Sequence, residues 1–354
     1  MDLLRKLLLF QAFFLLSGCA KTSYLVNQGL GQFSLQIHGV RNDKILSDPS
    51  VDLKTKERIE LITKAKDHFY QFWQKPPKDI YSKTTLLDQE EVTTLVIVSP
   101  HDKIEPQKEC FWFMGCFPYL GFFKREAALK YAAQKNEQGF ITVTRPVYAY
   151  STLGYFSDRI LSSFFVFSDE DLIDLVFHEL YHTIFFIKNE VDLNENLANF
   201  FAREMTKDYL NLTADDLKKR AVLREQDRLL SQALVKLTAE LNERYGKLEN
   251  PKREETDRVF SEFMQERFKP EIKQVCEQQK IEKERCFPLN REWNNASLAA
   301  FLTYENRAQE IEELYQKLQL TLQDFQLYIE DKYTQYLKEK TKDSFERFLF
   351  ATLL

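Results

Sequence analysis

The chain has 354 residues, 44% of them hydrophobic, enough to bury a sizeable core in one or two domains. Thirty Phe and sixteen Tyr stand against nine Gly and ten Pro, a balance that excludes a linker or low-complexity protein. The net charge is −5 and no dense Lys/Arg block occurs, which argues against nucleic acid as a partner.

Arg5 and Lys6 precede a ten-residue, mostly apolar run, Leu7 to Leu16, and then Ser17-Gly18-Cys19. A basic start, a short apolar run and small residues make a secretory signal. The run falls well short of the roughly twenty residues needed to span a bilayer. Leu16-Ser17-Gly18-Cys19 resembles a bacterial lipoprotein lipobox. That resemblance implies removal of residues 1–18, lipidation of Cys19, and, with Ala20 next, the periplasmic face of the outer membrane. No later apolar run approaches about eighteen residues, so Cys19 is the expected membrane attachment.

The mature part divides in expectation into a catalytic domain, residues 19–212, and a helical domain, residues 213–354, packed on it. Residues 23–38 suit a helix. Leu53 to Trp73 is a clearer one, with Ile59, Ile62, Ala65, Phe69 and Phe72 on one face. Thr93 to Ser99 reads as a buried strand, Cys110 to Phe123 as an aromatic loop, and Lys124 to Gln138 as a helix ended by Gly139. Phe140 to Thr144 predicts a second strand. Cys110, Cys116, Cys276 and Cys286 form an even set in an exported chain, which favours two disulfides. Three pairings are open, and the local one closes the shortest loops.

His178-Glu179-Leu180-Tyr181-His182 is an H-E-x-x-H stretch on a predicted helix capped at Ser168. Residues four apart share a helix face, so both imidazoles can hold one metal ion. Glu179 lies about 100° further round, where a general base for water is needed. A loop from Lys188 to Asp192 follows, then a second helix start with Asn194 as cap. Glu195, thirteen positions after His182, can return to the ion as third ligand if two antiparallel helices are joined there. Glu190 and Asp192 are weaker rivals, because they lie in the loop. Tyr148 and Tyr150 stand just upstream of the metal helix.

From Asp215 onward the chain reads as helical. Leu217, Leu230, Leu234, Leu237, Leu241 and Tyr245 mark one long helix that Asn250-Pro251 breaks. A second, Glu254 to about Gln278, runs back antiparallel. A third opens at Trp293 and reaches Tyr304, and a fourth runs from Thr321 to about Glu339.

The lipobox, Cys110-Phe-Trp-Phe-Met-Gly-Cys116, Ala149-Tyr-Ser-Thr-Leu-Gly-Tyr-Phe156, His178 to His182, Asn194-Glu195 and Asn294-Asn-Ala296 together resemble the bacterial family called predicted aminopeptidases. The likeness covers nearly the whole mature chain. It implies an α+β, mainly α-helical fold: a zincin-like core with a small sheet and a helical C-terminal half. It also implies one zinc ion held by His178, His182 and Glu195, with Glu179 as catalytic base and a peptide as substrate. Tyr181 departs from the family pattern, which has alanine there. Tyr150 and Tyr304 are candidates for the oxyanion donor. Glu170, Glu190 and Glu305 are candidates for holding a substrate's α-ammonium. The alternative is a non-catalytic zinc-binding envelope lipoprotein acting as a structural or interaction scaffold.

Overall fold

The computed structural model describes residues 24–111, 115–149, 158–188, 190–304, 308–339 and 344–351. The signal segment with Cys19, and Tyr150 and Glu305, lie outside the described residues. Those described are mostly helical, with three small sheets.

Helix α1 spans residues 24–37. It is followed by β1 (Val40–Arg41), α2 (Asn42–Ser47) and α3 (Leu53–Phe72). Asp52 caps α3 by accepting from Thr55 N, and the apolar face buries Ile59, Ile62, Ala65 and Phe69 as the periodicity predicts. Next come β2 (Lys83–Thr85), β3 (Thr93–Ser99), β4 (Glu109–Phe111), β5 (Gly115–Phe117) and β6 (Leu120–Phe122). The expected loop from Cys110 to Phe123 therefore carries strand structure. These strands are three residues long, too short for an alternating pattern to register. Cys110 and Cys116 face each other across the β4–β5 pair and are bonded, and Cys276 is bonded to Cys286.

Helix α4 (Arg125–Glu137) ends before Gly139, whose φ of +89° is the left-handed turn that favours glycine. Strand β7 (Ile141–Val147) runs past the expected end at Thr144 and through Pro146. It lies at the edge of the antiparallel order β6-β3-β7, where a residue without an N–H costs no ladder bond. Val96 and Val98 of the central β3 pack on Ala128 and Ala132 of α4. Strand β8 (Ile160–Leu161) completes a second sheet, β1-β2-β8.

The centre of the molecule is an antiparallel hairpin of α5 (Asp169–Tyr181) and α6 (Val191–Tyr209). A capping box of Thr213 and Asp216 then opens α7 (Ala214–Gly246). The return helix is α8 (Arg253–Phe263), a five-residue π-helical stretch (Met264–Phe268) and α9 (Lys269–Gln278). Pro270 supplies no N–H and crowds the carbonyl four residues back, so the bonding ladder widens just before it. Arg267 pairs with Glu240, and Gln226 Nε2 donates to Gln279 O, the descending order of an antiparallel pair. Helices α10 (Asn295–Tyr304), α11 (Ala308–Leu318), α12 (Leu322–Glu339) and α13 (Phe345–Phe350) finish the chain.

Helices on both sides of residue 212 share the main core. Ile311, Leu314, Phe325, Ile329, Phe345 and Leu349 of α11 to α13 are buried with the apolar faces of α3, α5 and α6. Helices α7 to α10 enclose a core of their own, around Leu234, Leu241, Phe263, Phe268 and Trp293. The Asn294-Asn295-Ala296 motif ties that unit to the sheet. Asn294 Nδ2 donates to Thr142 O, and the wholly buried Asn295 Nδ2 lies within hydrogen-bonding distance of the carbonyls of Pro100, His101 and Lys103. Asn295 Oδ1 also accepts from the Tyr245 hydroxyl at 3.1 Å. Asn295→Ala strands these groups inside the protein and is expected to destabilise it by about 2–3 kcal/mol. The midpoint of urea unfolding measures this, and an unchanged midpoint would refute the clasp.

Candidate metal centre

Helix α5 is fixed at its start and along its length. Ser168 Oγ accepts from Asp171 N at 3.1 Å, and Asp169, Glu170 and Asp171 place negative charge at the helix N-terminus. Leu172, Ile173, Val176, Phe177 and Leu180 are buried, and this sets the helix's rotation about its axis. His178 and His182 then stand one turn apart on the same side, with His182 closing the helix.

The turn that follows is held by Asn194, though not as a cap. Helix α6 begins at Val191, so Asn194 lies inside its first turn. Its buried side chain accepts from Ile187 N at 2.8 Å and donates to Ile187 O and Glu190 O at 2.7 and 2.8 Å. A satisfied amide of this kind makes the turn rigid, and Leu197, Ala198 and Phe201 pin α6 to the core.

Glu195 thereby returns to the histidines. Its Oε2 lies 3.3 Å from His178 Nε2 and its Oε1 3.4 Å from His182 Nε2, while the two Nε2 atoms are 3.2 Å apart. Burial, with the neighbouring His178, pushes His182 down to about 4. Burial also disfavours the charged form of His178, but its hydrogen bond to Glu195 and the charges of Glu179 and Glu195 outweigh that and raise it. Glu195 is lowered, because the bond to His178 and the two imidazoles overcome burial. His182 Nδ1 is buried with no hydrogen-bond partner among the described residues. Such a donor set, two imidazoles and a carboxylate, can hold a divalent cation. Glu179 is buried beside it, and its charge reaches both His178 and Tyr81.

A family model described as "Putative aminopeptidase" matches residues 23–345. The chain belongs to that family. Its description implies a hydrolase, and the matched span runs from α1 to the start of α13. No curated protein and no solved structure matches the chain.

Within this family member the other candidates separate. Glu190 Oε1 accepts from Phe345 N at 2.7 Å, and Asp192 sits in the first turn of α6. Glu170 pairs with Arg220, eight residues up the helix from His178, or about 12 Å away along the axis. Tyr148 packs edge-on against Phe167. Tyr304 ends α10, whose main packing partners are β3 and β7.

Three residues near the cluster carried no sequence signal of their own. Asn199, one turn beyond Glu195 on α6, is a polar neighbour that favours the charged form of His178. Only its spacing of four from Glu195 could have pointed to it. Asp174, one turn before His178, is half-buried and accepts from Thr206 Oγ1 at 3.3 Å; burial raises its carboxyl. Tyr81 is buried with φ at +59°, a strained backbone for an aromatic residue. Burial, then the charges of Glu179 and Asp158, keep its phenol protonated.

Tyr181, inside the motif, is a packing residue. Its ring stacks on Phe201 with centroids 4.7 Å apart, and its hydroxyl donates to Gln326 of α12. It joins α5, α6 and α12 from inside the motif without touching a ligand position. Tyr181→Ala is expected to cost about 3–5 kcal/mol through the cavity it leaves, and Tyr181→Phe about 1 kcal/mol for the lost hydrogen bond. Thermal unfolding of both variants checks this, and equal midpoints for the two would disprove the packing role.

Proposed function

We propose that the chain is a zinc-dependent peptidase, an aminopeptidase by its family's description, with His178, His182 and Glu195 as ligands in a zincin-like core. The observation that carries this reading is the convergence of two imidazole nitrogens 3.2 Å apart on the Glu195 carboxylate, whose Oε2 is 3.3 Å from His178 and Oε1 3.4 Å from His182. Ligands about 2.0–2.1 Å from one zinc ion at tetrahedral angles are about 3.3 Å apart, so the residues fit the ion. Two imidazoles and one carboxylate leave a fourth position for water or substrate.

Bound zinc supplies Lewis-acid polarisation of the scissile carbonyl and acidifies a water molecule toward neutral pH. Glu179, adjacent to His178 on the helix, takes the proton from the attacking water and returns it to the leaving amine. We further read Cys19 as the lipidated residue that keeps this site in the bacterial envelope.

Purified protein is expected to carry about one zinc per chain and His182→Ala to lose it by elemental analysis. Uptake requires deprotonated His178, whose pKa is raised, so affinity should fall as pH drops through that value. Full zinc in His182→Ala would remove the site. Glu179→Gln keeps the shape but cannot accept a proton. It should retain zinc and fold while losing about 10²–10⁴-fold in peptide hydrolysis. Wild-type rates in that variant would end the general-base assignment, whatever the metal content.

A further inference from the structure

Helix α1 has two unlike faces. Tyr24 Oη and Gln28 Nε2 donate to Gly121 O at 3.0 and 2.6 Å, and Leu35 O accepts from Thr85 Oγ1 at 3.0 Å. Gly31 lies on the same inward face, so close to the body that a Cβ there would stand 2.1 Å from the Phe123 ring. At about 100° per residue, the opposite face carries Val26, Leu30, Phe33 and Ile37. These are 55, 61, 62 and 56% exposed. Their spacing of four, three and four keeps them in one stripe. No Asp, Glu, Lys or Arg occurs from Tyr24 to Ile37. Exposed apolar residues scattered singly are ordinary on a protein surface, but four aligned along an uncharged helix are not.

We propose that this stripe is a membrane-contact surface: α1 lies in the plane of a bilayer interface, with Val26, Leu30, Phe33 and Ile37 set among the upper acyl chains. The absence of charge suits that depth, and Asn27, Gly29, Ser34 and Gln36, which flank the stripe, are small or neutral groups that suit the headgroup layer. Position selects lipid over a protein occupant. Only Ala20 to Ser23 separate Cys19 from Tyr24, a reach of at most about 18 Å for the five intervening steps. A lipidated Cys19 therefore holds α1 at the membrane, and this step rests on the lipidation reading above. The two contacts together fix the orientation of the body, which a single point of attachment cannot do. The stripe also adds an attachment to the single one that the sequence predicts.

The test uses the chain beginning at Ala20, which keeps every described contact and has no lipidation cysteine. It is floated with vesicles of phosphatidylethanolamine and phosphatidylglycerol. The chain is expected to float with them at low and high salt alike, since the contact is apolar. Leu30→Gln with Phe33→Gln should cut the bound fraction about tenfold or more. Leu327→Gln, an exposed change on α12, should leave it unaltered. Both sets alter exposed side chains, and unchanged thermal midpoints will verify folding. A chain that does not float, or a stripe variant that floats as wild type does, overturns the proposal. So does a concentration-dependent dimer that the double variant abolishes without any flotation, because the stripe would then meet a second copy. The acyl mass on Cys19 of protein matured in cells is measured separately. Its absence together with intact flotation defeats the lipidation reading and leaves the stripe standing.

Discussion

Two imidazole nitrogens 3.2 Å apart beside a carboxylate do not gather by their own attraction. Each loses water on approach, and their lone pairs repel unless a proton or a cation lies among them. Burial and the charge of His178 push His182 down, while the Glu195 bond and the neighbouring carboxylates raise His178 against its burial. The convergence must therefore be imposed by packing. The α5–α6 hairpin does so with buried Phe177, Leu180, Leu197 and Phe201, the Tyr181–Phe201 stack, and the Asn194 clasp at the turn. Helices α11 to α13, which arrive from the far end of the chain, cover the outer side of that hairpin.

What was legible in the sequence is what local periodicity or a fixed spacing encodes. The apolar face of α3, the β-branched run of β3, the Ser168 cap and the H-E-x-x-H spacing each depend on residues a few positions apart, and each is found where expected. Glu195 was reachable because a short turn between antiparallel helices leaves few choices. The start of α6 was misread because Asn194 has the chemistry of a cap, and its amide is used to hold the turn instead. Asn199, Asp174 and Tyr81 were not legible. Their parts in the site come from being carried beside it, not from any pattern in their own neighbourhood. The division of the cores was hidden for the same reason: α11 to α13 carry apolar faces that fit any helical bundle, and only tertiary structure says which one.

The site is also unevenly buried, and this sets its direction of access. The side chains of His182 and His178 are 2 and 14% exposed, while that of Glu195 is 47% exposed. Glu179 is buried as well. A ligand from solvent therefore meets the cluster on the Glu195 side and has the helix α5 residues at its back. For hydrolysis this order is useful. On the peptidase reading proposed above, Glu179 would take up its proton in surroundings of low polarity, where its interactions are strong, and a peptide would have an open approach. The same asymmetry explains why the helix bearing Glu195 needs the Asn194 clasp: its carboxylate has solvent on one side and cannot rely on burial to hold it, so the backbone beneath must be rigid.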